Sequence, residues 1–488
     1  MHYSIPDTQE CTELNGSTYI GYNLHVNGEY HCTVRYKQLH GLNEQLKKHY
    51  GQDNVPPFPP KKYWPLTPNQ IEERRSQLEK YFQLVGQNPL LMNADIFNKF
   101  LLTAQQESSN EKVHEVTIDV FLMNECKISV TASSGESSDS VLEKVCHQIN
   151  LPVMYTYYFS LFLIKREDGE ITIIRKLQDF ESPYISQKNI QGTHKIMLRK
   201  SYCDPEYDLE LMHDRVALNL LYVQTVSDIE RGWVICPKEI HAQLATLQAR
   251  GAKKEYLELA RTLKYYGYTE FRGCICDYPV PDSRVTVSTG HRELVVRTRT
   301  VNGDTKETSF KVTRMRCWRI TTHNDLIEAE NNSLETKSLQ YDVAFEYLIA
   351  KDKLQWITIS TKQAILISVC LQSMVEELLI KKAGAKIKQV CIKQGILIVF
   401  QPCEQRNGSF SYIRRDGSSQ IIAISQSSSA DTLSNSTPNG SVTSPVKSEP
   451  TMSMRRLSEK LSNLSKTSCK NQPLVENDAF EGIGDDDL

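Results

Sequence analysis

Arg35 and Tyr36 are neighbours, Lys61 and Lys62 close the proline run Pro56-Pro-Phe-Pro-Pro60, and Arg74 follows a short way on. A guanidinium offers a fork of donors that grips a phosphate through two parallel bonds. An aromatic face such as that of Tyr36 can stack on a sugar-like ring. Taken singly, Arg35 or Arg74 is an ordinary solvated charge. Bond-making chemistry has no comparable candidates. His40, His147, His213 and His241 lie in unrelated segments, and there is no glycine-rich phosphate loop, nucleophile elbow or His-Glu-x-x-His. Cys274-Ile-Cys276 has the wrong spacing for zinc and lacks a matching pair. Val375 and Leu379, viewed in isolation, are ordinary core residues of an amphipathic helix. The end of the chain, Asn477-Asp-Ala-Phe480-Glu-Gly-Ile483-Gly-Asp-Asp-Asp-Leu488, sets apolar residues among acids and by composition alone is a generic acidic tail.

The elements that must position these residues follow from periodicity. Residues 17–36 read as a strand pair. Ile20, Tyr22 and Leu24 alternate with Tyr19, Gly21 and Asn23, and Asn27-Gly28 supplies a tight turn. Leu39, Leu42 and Leu46 recur at helical spacing. The prolines force an extended stretch, because proline fixes φ and removes amide donors. A long amphipathic helix then carries Ile71, Leu78, Phe82 and Val85 on one face, and Phe97, Phe100 and Leu101 close a first domain over 1–107.

After the polar joint 108–112, Val116, Ile118, Val120 and Leu122 alternate as a strand, with Ile128, Val130 and Ala132 as its partner. Val141, Val145 and Ile149 mark a helix, and Tyr158–Ile164 another strand. That order suits a ubiquitin-like lobe over 113–200. Residues 204–272 show helical periodicity (Leu218, Leu221, Val223; Leu257, Leu259, Leu263) and no convincing strand, which reads as a helical lobe. From 274 strands return, and one helix with Ala364, Ile367, Leu371, Met374, Val375 and Leu378 closes a phosphotyrosine-binding or pleckstrin-homology-like lobe ending at 386. The expected fold class is therefore α+β and multidomain. Residues 387–488 read as a mostly disordered tail, since 425–451 are Ser, Thr, Asn and Pro with almost no large apolar residue. The apolar stretch within 389–424 departs from that pattern and reads as an extra hairpin or an insert.

The chain has 488 residues, enough for about three domains at ~150 residues each. A hydrophobic share of 40% and a charged share of 24% are ordinary for a globular protein. A net charge of −2 points to no nucleic-acid partner, so any electrostatic binding rests on local patches. No apolar run approaches the ~18 residues a membrane span needs. The 13 cysteines are scattered and read as free thiols of a reducing cytosol.

Arg35-Tyr36-Lys37-Gln-Leu, Phe58-Pro-Pro-Lys61-Lys62 and Glu72-Glu-Arg74-Arg75-Ser-Gln-Leu78 resemble the binding segments of a PX domain. The stretches Arg215–Trp233 and Phe310–Arg319 resemble the FERM-like module of the PX–FERM sorting nexin family. The resemblance implies that Arg35 grips the 3-phosphate of phosphatidylinositol 3-phosphate and Tyr36 lies under the inositol ring. It implies that Lys61, with Lys62 beside it, reaches the 1-phosphate and that Arg74 bonds the free hydroxyls. Tyr63-Trp64 would wedge into the membrane interface, where such rings are favoured.

The resemblance also implies that the last lobe adds receptor-tail peptides of the Asn-Pro-x-Tyr or Asn-x-x-Tyr type to a sheet edge, with Trp318, Val375 and Leu379 at the matching positions. The receptors it implies are of the lipoprotein-receptor and integrin-beta types. Phe480, Ile483 and Leu488 resemble the end by which a family member engages the Retriever recycling complex. The implied function is a non-catalytic adaptor without a cofactor, peripheral on the cytoplasmic face of early endosomes. It would divert receptors from lysosomal degradation to recycling at the plasma membrane. The alternative is a FERM-type membrane–cytoskeleton linker or signalling scaffold. Asn477-Asp-Ala-Phe480 also has the Asn-x-x-aromatic spacing of a cargo, so the tail either folds back onto the Trp318 groove or serves Retriever alone.

Overall fold

Alternating apolar residues build the first sheet. The computed structural model describes residues 1–382 except 13–15, 63, 168–169, 191, 300–304, 324–339 and 351–352, and beyond them only 409–411, 421–423 and 475–476. Strands β1 (Tyr3–Ser4) and β2 (Thr8–Thr12) pair with one edge of β3 (Thr18–Val26), and β4 (Glu29–Arg35) pairs with the other. Asn27 and Gly28 both take positive φ, as a two-residue hairpin turn between twisted strands requires.

Helix α1 (Tyr36–Tyr50) starts directly from β4. The Gln38 side chain accepts from the Arg35 amide at 2.9 Å and so closes that junction. Helix α2 (Pro68–Gln87) opens on Thr67, with proline at its first position and a reciprocal Thr67–Gln70 cap. Helices α3 (Pro89–Met92) and α4 (Asp95–Ser108) complete the domain. Tyr22, Leu24, Leu39, Leu42, Leu46, Leu78, Phe82, Val85, Phe97 and Leu101 form its core, matching the periodicity.

The next lobe runs β5 (Glu115–Phe121), β6 (Lys127–Ser133), α5 (Ser138–Gln148), α6 (Val153–Thr156), β7 (Phe159–Glu167), β8 (Glu170–Lys176), α7 (Pro183–Asn189) and β9 (His194–Lys200). The sheet order is β6-β5-β9-β7-β8, with β5 parallel to β9. Ile118, Val120, Ile128, Val130 and Ala132 share a core with Val141 and Val145 of α5. The N-terminal domain is seated on this lobe. Gln105 of α4 donates to Ser186 Oγ at 3.0 Å and accepts from the Ser182 amide at 2.7 Å, and Phe180 enters the N-terminal core. Behind the seat Arg175 and Glu181 form a buried bidentate pair at 2.6 Å.

Helices α8 (Asp208–Leu211), α9 (Arg215–Glu230), α10 (Lys238–Ala249) and α11 (Lys253–Ala260) make the helical lobe. Its buried Asp208 accepts from Tyr202 and from Tyr266. An antiparallel sheet follows. Its strands are β10 (Thr269–Cys276), β11 (Ser283–Gly290), β12 (Glu293–Arg299), β13 (Thr305–Lys311), β14 (Met315–His323), β15 (Gln340–Ala350) and β16 (Lys353–Ser360), packed on α12 (Ala364–Lys382). In the tail, β17 (Ser409–Ser411) pairs with β18 (Ile421–Ala423), a hairpin inside the apolar stretch. β19 (Val475–Glu476) adds to the large sheet outside β14, giving the order β13-β12-β11-β10-β16-β15-β14-β19. Otherwise the tail lies outside the described residues. No described helix is long and apolar enough to cross a membrane.

Candidate functional site

At the meeting point of β4, α1, the proline stretch and α2, Tyr36 links the proline stretch to Arg74. Its hydroxyl donates to the Pro59 carbonyl at 2.8 Å, which ties the extended segment to α1. Its ring lies 5.6 Å from that of Phe58, and the Arg74 guanidinium stands 4.3 Å from its centroid. Phe58 in turn meets Tyr81 edge to face at 5.0 Å. Arg35, the last residue of β4, lies 5.3 Å from the Tyr19 ring. Lys61 and Lys62, which follow the prolines in the chain, are exposed, and Lys62 is 3.7 Å from Glu73. Trp64 next to them is 85% exposed, and Tyr63 lies outside the described residues.

Arg74 and Arg75 are adjacent in sequence and opposite in circumstance. Arg75 bonds Glu72, Glu79 and the Ile5 carbonyl, and Glu79 also accepts from the Ile5 amide at 2.8 Å. That arginine fastens α2 to the N-terminal strand. Arg74 is only 8% exposed, its Nη2 has no hydrogen-bond partner, and among the described residues no carboxylate pairs with it. Burial pushes the Tyr22 hydroxyl up in pKa, and the positive charge of Arg74 opposes that. A buried cation without a counter-charge is costly, so the site suits an anionic, hydroxyl-rich ligand.

A second site lies at the outer edge of the large sheet. Trp318 of β14 is 1% exposed, and its Nε1 donates to Ser368 Oγ of α12 at 3.0 Å. Val375 is buried on the same helix and Leu379 is half-buried. On its inner side β14 pairs with β15. On its outer side the tail strand β19 runs antiparallel, with Glu476 opposite Cys317 and Val475 opposite Trp318. The edge therefore accepts an added strand, and the strand on it is the chain's own. Arg316 is paired with Glu346, while Arg319 lies over the Trp356 ring at 4.3 Å with its Nε unbonded. Phe480, Ile483 and Leu488 lie outside the described residues, as does Asn477.

The structure sets Arg74 against Tyr36, with Arg35 beside Tyr36 in the chain but facing Tyr19, and it carries Val375 and Leu379 on α12, the helix to which Trp318 of β14 is bonded through Ser368. Sequence reasoning missed Tyr22, Phe58 and the Pro59 carbonyl as the frame around Tyr36, and Ser368 as the tie from α12 to β14. Phe58 was visible within the proline run; nothing in the pattern marks Ser368 or β19.

Family profiles cover most of the described chain. The PX domain matches residues 22–104 and the sorting nexin 17/27/31 FERM F1 lobe matches 116–203. The sorting nexin 17/31 FERM F2 lobe matches 204–264, and the sorting nexin 17 FERM C-terminal domain matches 267–379. Sorting nexin-17 of Danio rerio is 45% identical over 494 residues, covering 100% of both chains. Sorting nexin-17 of Homo sapiens is 44% identical over 503 residues, again over 100% of both. Sorting nexin-31 of Homo sapiens is 36% identical over 387 residues, covering 79% of this chain and 87% of that one.

Proposed function

The chain belongs to the PX–FERM sorting nexin family, and on that footing we propose that it is an endosomal cargo adaptor joining phosphatidylinositol 3-phosphate membranes to receptor tails. Arg35 grips the 3-phosphate and the Tyr36 ring underlies the inositol. Lys61, with Lys62, reaches the 1-phosphate, and Arg74 bonds the ring hydroxyls. Trp64 enters the interface, where an aromatic ring is favoured. An Asn-Pro-x-Tyr or Asn-x-x-Tyr tail adds as a strand along β14, against the helix wall that carries Val375 and Leu379. Arg316 is taken up by Glu346, which favours an unphosphorylated tyrosine. The chemistry is recognition; PX and FERM modules are not enzymatic folds.

The observation that carries this reading is β19 on the β14 edge. A receptor peptide and the chain's own tail compete for the same backbone donors and acceptors. A tethered segment competes at high effective concentration even when its contacts are weak. Cargo binding then frees the tail, with Phe480, Ile483 and Leu488, for Retriever, and receptors are recycled to the plasma membrane instead of degraded. The test is calorimetry of an Asn-Pro-x-Tyr peptide against the full chain and against Val475→Pro/Glu476→Pro, which removes the amide donors of β19. The substituted chain should bind more tightly. Equal affinities would mean that tail and cargo do not share the edge.

A further inference from the structure

Helix α12 is held from two directions. Toward the sheet edge, Ser368 accepts from Trp318, and Leu371, Met374 and Leu378 pack into the core. On another face Glu377 leaves its own lobe. One carboxylate oxygen accepts from the Cys203 amide at 2.8 Å and the other from the Asp204 amide at 2.8 Å. Those amides lie between β9 and α8, at the joint of the ubiquitin-like and helical lobes. One turn further along α12, Lys381 reaches Asp204 at 3.4 Å and pairs with Glu206, while Arg292 bonds Asp204 at 2.7 Å. At the start of α12, Gln363 donates to the Ile173 carbonyl of β8 at 2.7 Å. The Asn27-Gly28 turn of the N-terminal domain comes so close to Ile365 that a Cβ on Gly28 would lie 2.7 Å from its Cδ1.

Desolvation pushes the Glu377 carboxyl up to about 7, against the pull of the two amides. A shielded carboxylate is unfavourable in the wall of an apolar helix unless its bonds do something there. Here both oxygens engage backbone of another lobe, and neither contributes to the core of its own. Fork-like acceptance of two amides fixes direction as well as distance. The helix that would form one wall of the peptide groove is thereby fastened to a joint outside its lobe.

We propose that Glu377 is a positioning residue for peptide capture: it fastens α12 to the Cys203–Asp204 joint and so sets the separation between Leu379 and the β14 edge. The inference rests on the reading of that edge as the cargo groove. It makes peptide affinity depend on how the first two FERM lobes are arranged, although neither touches the peptide.

The test uses the full chain with Glu377→Ala, Glu377→Gln and, as a control on the groove itself, Leu379→Asp. Three readouts are needed: calorimetry with an Asn-Pro-x-Tyr peptide, binding to phosphatidylinositol 3-phosphate liposomes, and amide exchange. Glu377→Ala should weaken the peptide roughly three- to tenfold, the scale of one or two lost hydrogen bonds. Glu377→Gln, which keeps one accepting oxygen, should fall between it and the native chain. The Cys203 and Asp204 amides should exchange faster while the α12 amides keep their protection, and liposome binding should not change. Faster exchange at the joint with unchanged peptide affinity overturns the proposal, and so does loss of protection throughout α12, which would make Glu377 a fold-holding residue only. If Leu379→Asp abolishes peptide binding and Glu377→Ala leaves it intact, the groove stands and the clamp falls. If neither matters, the groove reading falls and takes the clamp with it.

Discussion

Arg74 and Arg75 show what a side chain's partners say about its task. Arg75 pairs with Glu79, which is 2% exposed, so Arg75→Met takes that cation away from a buried carboxylate. That should cost about 3–5 kcal/mol of stability in urea denaturation. Arg74→Met removes a buried cation that no described carboxylate pairs with. It should leave the denaturation midpoint near native while weakening liposome binding. Arg35→Ala should weaken binding to phosphatidylinositol 3-phosphate more than tenfold, since a charge-assisted bond is worth about 1.5–3 kcal/mol. Liposome co-sedimentation of folded protein measures both. A sequence with two adjacent arginines on one helix does not separate them by pattern. The resemblance to the PX segments singles out Arg74 for the ligand, and the bonds of Arg75 to Ile5, Glu72 and Glu79 give Arg75 a separate, structural task. Those bonds reach across some seventy residues of chain (the sequence separation of Arg75 and Ile5 is 70), and no periodicity reports a contact of that range.

At the scale of elements, alternation and helical spacing made most strands and helices of the first 382 residues legible, because each has one buried face. What alternation could not give is which strand ends outermost in the sheet. Within its lobe β14 is one of the two end strands, with β15 along its inner side and β13 at the opposite end of the order. β19 was not legible at all: a two-residue strand has no period, and its register is set by β14. Burial also changes how the groove should be probed. Trp318 is 1% exposed and bonded to Ser368, so Trp318→Ala should cost roughly 3–5 kcal/mol of stability and confound any binding assay. Val375→Asp would place a charge in the core for the same reason. Leu379 is half-buried. Leu379→Asp should abolish binding of an Asn-Pro-x-Tyr peptide in calorimetry while the thermal midpoint changes little; retained binding would move the groove away from α12.

Across the whole molecule, the N-terminal domain and the ubiquitin-like lobe meet at a buried polar seat that titrates. His31 of β4 bonds the Leu101 carbonyl at 3.1 Å, meets the Phe180 ring at 5.7 Å, and lies near Glu181, which is held ionised by Arg175. Burial pulls His31 down to about 4, with Glu181 opposing. The folded value lies below the unfolded one, so the unfolded chain takes up the proton first and stability is lost as pH falls from ~6.5 toward ~4. Between pH 7 and pH 5 the native chain should lose roughly 2 kcal/mol more stability than His31→Gln, read by urea denaturation at the two pH values. Equal losses would mean that the ring is not held neutral.

The seat also fixes the domain that carries Tyr36 and Arg74 on the ubiquitin-like lobe, as the proposed adaptor requires if it is to hold both ligands at once. The most direct measurement is recruitment of a labelled Asn-Pro-x-Tyr peptide to liposomes containing phosphatidylinositol 3-phosphate. The peptide should sediment only when the full chain and the lipid are both present. Arg35→Ala should abolish sedimentation without altering peptide affinity in solution, and Leu379→Asp should abolish it while the protein itself still sediments. Recruitment that persists without the lipid, or in the Arg35→Ala chain, would contradict the adaptor reading.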